Sequence, residues 1–561
     1  MYHDSRDPRF RRPTGAVETG GRVRLSVSAP EAEKCDLILF RDGEPPRRFA
    51  MAESGDLFSC TVTVPERVGI VWYYFEASYC GTPLCYGNDS DSLGGEGREG
   101  TNPYQITVYA PSVTPEWYKN GVVYQIFPDR FARGGDFRRR WGDKCAHPLR
   151  GRAKYLLSED WDDAPFYTKR PDNTVTRWQF FGGTLEGIRE KLPYLRGLGV
   201  TVLYLNPIFL AASNHRYDTA DYFTVDPLLG DEESFRLLCE TAGENGIRIL
   251  LDGVFSHTGA DSRYFNRNGT FPEPGAWQGE ASPYYKWYTF RDAPGEYDCW
   301  WGFTDLPNVR ELDPGFLDMI CGENGVIRKW LRLGASGWRL DVADELPEEF
   351  IEAVRRAATA EKPDALILGE VWEDASNKVS YGQRRTYLLG RGLHSVMNYP
   401  FRSLALDFLG GAIPAREAAR RLMSLWENYP PEAMAGALNL IGSHDRARAL
   451  TVLGGSREKL ILLWRMMMAV PGVPCLYYGD EAGLTGGDDP ENRGTFPWGR
   501  EDVALTEAFR RLAAERKKEP LFVTGDFSAG WEEEDVLILR RYDEAREILV
   551  RINRKTEAAE C

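Results

Sequence analysis

The 561-residue chain has no long apolar run. Its most apolar stretch, Leu460 to Val470, carries Arg465 at the middle and stops at Pro471, short of the ~20 residues that a membrane helix needs. The opening MYHDSRDPRFRRP is polar and lacks a signal-type apolar region, which reads as a cytoplasmic protein with no membrane partner. Ten cysteines include no C-x-x-C pair, and six histidines include no H-x-x-x-H pair. A zinc site is therefore not expected, and reduced, mostly buried thiols are. Basic residues are in deficit: the net charge of −15 argues against nucleic acid or an anionic membrane as the main partner. The same balance makes the basic run Arg138-Arg139-Arg140 a solvated loop. Glycine and proline stay well below the ~25–30% of low-complexity chains. With 42% apolar residues and no internal repeat, the chain should be globular throughout.

What is present has three parts. Residues 1–112 contain short alternating runs, RVRLSVS, CDLILF, FSCTVTV and VWYYFEAS, separated by turn-rich segments, the pattern of a small β-sandwich. Tyr109 to Glu116, with Pro111 and Pro115, reads as a linker. From 117 to 516 apolar strands alternate with amphipathic helices, beginning VVYQIF, TLEGIREKLPYLRGLG, VTVLYLNP, EESFRLLCETAGENG and IRILLDGVF. GWRLDVAD, ALILGEVW, HSVMN, GALNLIGSHD and PCLYYGDE bring the strand candidates to eight, the number of a (β/α)8 TIM barrel in an α/β fold. The excess length lies in 133–178 and in 258–313, the latter a small loop domain inserted after strand 3, and both should rise over the mouth. Residues 517–561 alternate again and suggest a short C-terminal β domain.

Polar residues at the C-terminal ends of barrel strands converge on one mouth. Here they are Asp252 on strand three, Arg339 and Asp341 on strand four, Glu370 on strand five, and His444 and Asp445 after strand seven, with His257 beyond strand three. Taken singly, Asp341 beside Arg339 reads as a buried ion pair, Asp252 as a helix cap and Asp445 as a surface acid. Four acids at four strand ends are not explained that way, because clustered carboxylates repel unless function or counter-charge compensates. Chemistry that needs several carboxylates and no metal is glycosidic cleavage, with one carboxylate as nucleophile and one protonated carboxyl as donor. Asp341, two residues from Arg339 on the same strand face, should be held ionised and suits the nucleophile. Glu370, with no neighbouring cation and followed by Val371 and Trp372, suits the donor.

The segments DGVFSH (252–257), GWRLD (337–341), GEVW (369–372) and GSHD (442–445) resemble the four ordered signature regions of the α-amylase superfamily, glycoside hydrolase family 13. YQIFPDRF (124–131), SNHRYDTADYF (213–223), GDEAGL (479–484) and DPENR (489–493) are similar to its neopullulanase, cyclomaltodextrinase and maltogenic amylase branch. The resemblance implies Asp341 as nucleophile, Glu370 as general acid and base, and Asp445 as stabiliser of an oxocarbenium-like transition state. It further implies sugar contacts from His257, Arg339 and His444, support from Asp252, a histidine and a stacking tyrosine at His215 and Tyr217, and an inner subsite at Asp489 and Arg493. Of the sixteen tryptophans, Trp372 and one of Trp300 or Trp301 are site candidates, and the others read as core.

Departures from the family pattern concern selectivity and metal. Ser256 replaces an asparagine that ligates calcium in many relatives, and Ala132 to Asp136 lacks the Asn/Asp-rich run that binds it in this branch. No cofactor, and no calcium site, is therefore expected. VADE (342–345) replaces VANE, which puts Asp344 near the leaving-group subsites, and Arg446 stands where a small polar residue is common. The expected activity is retaining hydrolysis of α-1,4 and also α-1,6 glucosidic bonds in short maltooligosaccharides, cyclodextrins or pullulan. A glucanotransferase or branching enzyme, and a non-catalytic glucan-binding protein, stay open as alternatives. So does a homodimer.

Overall fold

The computed structural model describes residues 1–100, 102–142, 147–149, 155–169, 175–291 and 295–560. Cys145 and Cys561 lie outside them, and the eight other cysteines are free thiols. Among the described residues no helix is long and apolar enough to cross a membrane.

The barrel strands are β1 (Val123–Ile126), β2 (Val202–Leu205), β3 (Arg248–Gly253), β4 (Gly337–Leu340), β5 (Leu366–Gly369), β6 (Ser395–Val396), β7 (Leu438–Leu440) and β8 (Val473–Tyr477). They form one parallel sheet in the order β6-β5-β4-β3-β2-β1-β8-β7. A parallel bridge from Met397 to Leu438 brings its two edges together, so the barrel is nearly closed. Alternation explains why the strands are apolar on both faces. Val202, Tyr204, Leu250, Leu366 and Leu368 pack together inside the barrel, while Leu203, Leu205, Ile249, Leu251 and Ile367 pack outward against the helices. The same period of two carries the inward face of β3 from Leu250 to Asp252, of β4 from Arg339 to Asp341, and of β5 from Leu368 to Glu370. The chemistry-bearing side chains therefore stand on top of the barrel's apolar filling.

The N-terminal strands make a four-stranded and a seven-stranded sheet. In Arg22–Ser28 the buried Val23 and Leu25 alternate with the exposed Arg22 and Arg24. They face Leu37, Val71, Tyr73 and Ile106 of the other sheet in a core separate from the barrel's. The C-terminal antiparallel strands Asp526–Glu533, Val536–Tyr542, Glu547–Asn553 and Ala558–Glu560 behave differently. Their buried Leu537, Leu539, Val550 and Ile552 share the core of the barrel's helical layer, as expected of a sheet too small to stand alone. Over the mouth, the 133–178 segment contributes a helix, Phe137–Gly142, and strands Tyr155–Leu157, Thr168–Lys169 and Val175–Phe180. The 258–313 segment is held by packed aromatic rings, Phe265 stacking on Phe290 and touching Tyr288 and Tyr297, more than by ladders.

The sandwich docks on the helix Ala415–Asn428 through Arg420, which pairs with Asp89 and Asp91, and through the more deeply buried Glu427. Glu427 takes Arg11 Nη1 at 3.0 Å and Arg6 Nε at 2.9 Å, with the Arg11 side chain fully buried. Removing the carboxylate strands buried guanidinium charge, so Glu427→Ala should lower stability by about 3–5 kcal/mol. The measurement is urea denaturation followed by fluorescence, and an unchanged midpoint would show that the docking does not depend on this triad.

Candidate active site

Register sets the centre of the site. Asp252 on β3 lies level with Arg339 on β4, and Arg339 lies level with Leu368 on β5, one inward position below Glu370. One guanidinium therefore reaches three carboxylates: Arg339 Nη1 is 2.7 Å from both Asp252 Oδ1 and Asp341 Oδ1, and Nη2 is 2.9 Å from Glu370 Oε2. Asp252 also accepts from the hydroxyls of Tyr204 (2.7 Å) and Tyr217 (2.9 Å). Just past the nucleophile candidate, Val342 is held at φ 39°, a costly conformation for a β-branched residue. That backbone gives its N–H to Glu370 Oε2 at 2.9 Å.

On the other side of the cleft His444 sets Asp445. The amides of Gln125 and Asn206 approach His444 Nδ1 at 3.0 and 3.1 Å, so that nitrogen accepts and the ring proton sits on Nε2. Nε2 is 3.1 Å from Asp445 Oδ2. Arg493 Nη2 lies 3.7 Å from Asp445, and its Nη1 is 3.0 Å from Asp489. Asp489 in turn accepts from Tyr167 at 2.7 Å. Tyr217 stacks on His444 at 5.1 Å and 6°, and His215 leans on Tyr217 at 5.9 Å. His257 Nε2 meets the Tyr217 carbonyl oxygen at 3.2 Å. Asp341, Glu370, His444, Asp445, Tyr217 and Arg493 border one open cleft of about 1630 Å³, as do His215, His257, Asp489 and Tyr167, whereas Asp252, Arg339, Tyr204, Gln125 and Asn206 lie behind its wall.

Three expectations are corrected by this geometry. Glu370 is not free of cations, because Arg339 reaches it from the adjacent strand and alternation turns Val371 outward into the helical layer. Asp252 and Arg339 are not placed to touch a sugar: both are buried beneath the cleft floor and act through Asp341, Glu370 and Tyr217. Trp372 lines the cleft, but Tyr399 stacks on its indole at 4.5 Å and the Arg446 guanidinium lies 4.2 Å from the ring centre. Its faces are taken, and it offers an edge. The motifs did not point to Tyr167, Trp178, Glu345 or Lys378, which line the cleft from the inserted segments and from loops after strands. No spacing signal marks them. The adjacent Trp300 and Trp301 were the visible clue, and both indole N–H groups donate to Glu345, at 2.9 and 2.8 Å.

Two guanidiniums serve four carboxylates, and three of the four are raised. Burial, reinforced by the charges of Glu370 and Asp252, pushes the Asp341 carboxyl well up despite Arg339. Burial outweighs the guanidinium, so Arg339 does not hold Asp341 low as the sequence alone suggested. Burial likewise raises Asp252 and pushes Asp445 up to about 7, with Glu370 adding and Arg493 opposing. The histidines go the other way. Burial holds His257 down to about 4 and lowers His215 and His444 well below the usual imidazole range, so all three are neutral hydrogen-bonding groups near neutral pH.

The fold and site define a (β/α)8 barrel whose mouth is built for carboxylate acid–base chemistry. Residues 125–308 and 320–559 match the alpha amylase catalytic-domain family, and the chain belongs to that family. An amylopullulanase of Thermoanaerobacterium saccharolyticum is 37% identical over 96% of this chain, which spans 46% of that protein's length. The chain thus spans less than half of the amylopullulanases it matches. A cyclomaltodextrinase of Geobacillus thermopakistaniensis is 38% identical over 80% of this chain and 71% of its own. Among solved structures, a cyclic alpha-maltosyl-(1-->6)-maltose hydrolase from Arthrobacter globiformis, complexed with that cyclic sugar, superposes with a TM-score of 0.67 at 31% identity. The match covers 79% of this chain and 92% of the other.

Asp445 supplies a linkage test. With its pKa raised to about 7 in the folded protein, the native state keeps a proton that the unfolded chain releases above about pH 4. Its ionisation therefore destabilises the fold progressively as pH rises from about 4 to 7, and fully above that. Asp445→Asn should melt at a higher temperature than wild type at about pH 8 and converge with it near pH 4. Equal or lower melting at pH 8 would remove the argument.

Proposed function

We propose that the protein is a retaining glycoside hydrolase of short or cyclic α-glucans, cleaving α-1,4 and α-1,6 glucosidic bonds. The observation that carries this reading is the pairing of Asp341 and Glu370 on two nitrogens of the single Arg339 guanidinium. It supports the close carboxyl spacing of retaining enzymes, ~5–5.5 Å, in which no water fits between sugar and nucleophile. The substrate class follows the named activities of the relatives, and a cleft lined by Tyr167 and Trp178 from one inserted segment and Trp300 and Trp301 from the other gives short or cyclic chains aromatic walls to bind.

In this mechanism the ionised form of Asp341, held on Arg339 Nη1, attacks the anomeric carbon while Glu370 gives its proton to the departing glycosidic oxygen. Arg339 positions both groups from below. Asp445 faces the sugar from the opposite wall and stabilises positive charge as it develops on the ring, with His444 and Arg493 fixing its direction. The strained Val342 amide orients Glu370 without a rotamer search. Water then enters where the leaving sugar was, and Glu370, now ionised, takes its proton as the glycosyl ester opens. Asp489, Arg493 and Tyr167 hold the next unit inward.

Asp341→Asn and Glu370→Gln remove charge and leave volume unchanged, so each should lower kcat by roughly 10³-fold or more with melting close to wild type. Timed product chromatography on β-cyclodextrin, pullulan, maltohexaose and starch, with proton NMR of the first anomer, tests the reading. The α-anomer should appear first and the oligosaccharides should outrun starch. A β-anomer, or near-normal rates in either variant, would overturn it.

We also propose that the reaction needs no calcium. Ser256 Oγ is engaged with His257 Nδ1 at 2.9 Å. In the 132–136 loop the carboxylate of Asp136 is taken by Arg140 and by Thr184, the latter at 3.0 Å. Hard cations require several free oxygen donors, and this donor set does not fit one. Dialysis against EDTA should leave rate and melting temperature unchanged, and a loss restored by calcium would contradict the reading.

A further inference from the structure

After β5 the chain forms a small hairpin that the catalytic cluster does not use. Val379–Ser380 pairs antiparallel with Gln383–Arg384, leaving a two-residue turn at Tyr381-Gly382 with φ 49° and 75°. Two successive left-handed residues make the primed turn of tight hairpins, where asparagine, aspartate and glycine are favoured. A tyrosine there is strained, and its ring is 76% exposed while bordering the cleft. Strained, exposed aromatics at a cleft rim are features that function, and not folding, explains.

The hairpin's base is anchored from another part of the molecule. Arg384 Nε donates to Asp42 Oδ2 at 2.7 Å, and the indole of Trp72 donates to Asp42 Oδ1 at 2.8 Å. The Arg384 guanidinium lies 5.4 Å from the Trp72 ring centre. Asp42 and Trp72 belong to the N-terminal sandwich, so that sandwich holds the hairpin against the cleft. On the cleft side Lys378 pairs with Glu373 and lies 3.4 Å from Asp344. Tyr381 borders the same cleft as Asp344 and Glu345, and Trp300 and Trp301 brace Glu345.

Direction along the cleft fixes which sugar the tip would meet. Asp445 stands at the end that carries Arg493, Asp489 and Tyr167. Glu370 accepts from the Val342 N–H, Asp344 follows Val342 by two residues and lies 3.4 Å from Lys378, and Lys378 leads directly into the hairpin strand Val379–Ser380. The group that protonates the leaving oxygen is thus on the hairpin's side.

We propose that Tyr381 is a specificity-determining residue that stacks on the first glucosyl units of the leaving group, and that Asp42 and Arg384 are positioning residues through which the N-terminal sandwich sets that contact. The proposal rests on the glucan-hydrolase reading and deepens it. The apolar C–H face of a pyranose matches an exposed ring, and the flanking Lys378, Asp344 and Glu345 supply partners for its hydroxyls.

The test compares two substrates in the full chain. Maltohexaose places sugars on the leaving side, whereas α-maltosyl fluoride leaves a fluoride ion that cannot reach the hairpin. The readout is the ratio of kcat/KM for the first to that for the second. Tyr381→Asn suits the turn and removes the ring, so the fold is kept while the ratio falls about tenfold, mainly through KM. Tyr381→Phe keeps the ratio within about twofold of wild type, and Asp42→Ala and Arg384→Ala each lower it about threefold. A Tyr381→Asn ratio within about twofold of wild type, whether both activities stand or fall together, overturns the proposal. A wild-type chain inert on both substrates would instead bring down the hydrolase reading, and this one with it.

Discussion

The site is organised around the sharing of one buried guanidinium among three carboxylates. Arg339 has no exposure and contacts Asp252, Asp341 and Glu370. It cannot neutralise all three, and a second guanidinium, Arg493, serves Asp445 only from 3.7 Å. Left in water these acids would all ionise. Inside the barrel mouth burial, reinforced by neighbouring charge, raises Asp252, Asp341 and Asp445 above the usual carboxylate range. The arrangement is poor for stability and well suited to a reaction that requires one carboxylate to attack while its neighbour donates.

Everything around the cluster fixes directions. The barrel filling of Tyr204, Leu250, Leu366 and Leu368 supplies a rigid floor. Tyr204 and Tyr217 spend their hydroxyls on Asp252, which leaves the Tyr217 ring to form the cleft wall with His444. Left-handed backbone occurs beside the reacting groups and at the rim: Val342 gives an amide N–H to Glu370, and Tyr381 and Trp301 are exposed aromatic residues at positive φ. Both accessory β pieces act on this frame in different ways. The C-terminal sheet merges with the helical layer's core, whereas the sandwich keeps its own core and reaches the barrel through polar clamps, Glu427 on one side and Asp42 on the other.

The sequence by itself determined the strand order, the eight-fold repetition and the level of each acid in the barrel. Those depend on period-two alternation within single strands, a local property that composition expresses directly. DGVFSH, GWRLD, GEVW and GSHD could be placed at the mouth for that reason. What lies across strands was not legible. That Arg339 serves Glu370 as well as Asp341 depends on the register of β4 against β5. That Trp372 has both faces covered depends on Tyr399 and Arg446, 27 and 74 positions away. That a sandwich aspartate holds a hairpin 342 residues later depends on how two cores pack. Pairwise contacts at such separations carry no period and no local propensity, so only the tertiary structure decides them. They govern which side chains line the cleft, which lie beneath it, and which guanidinium serves which of the acids that the sequence could only place on one rim.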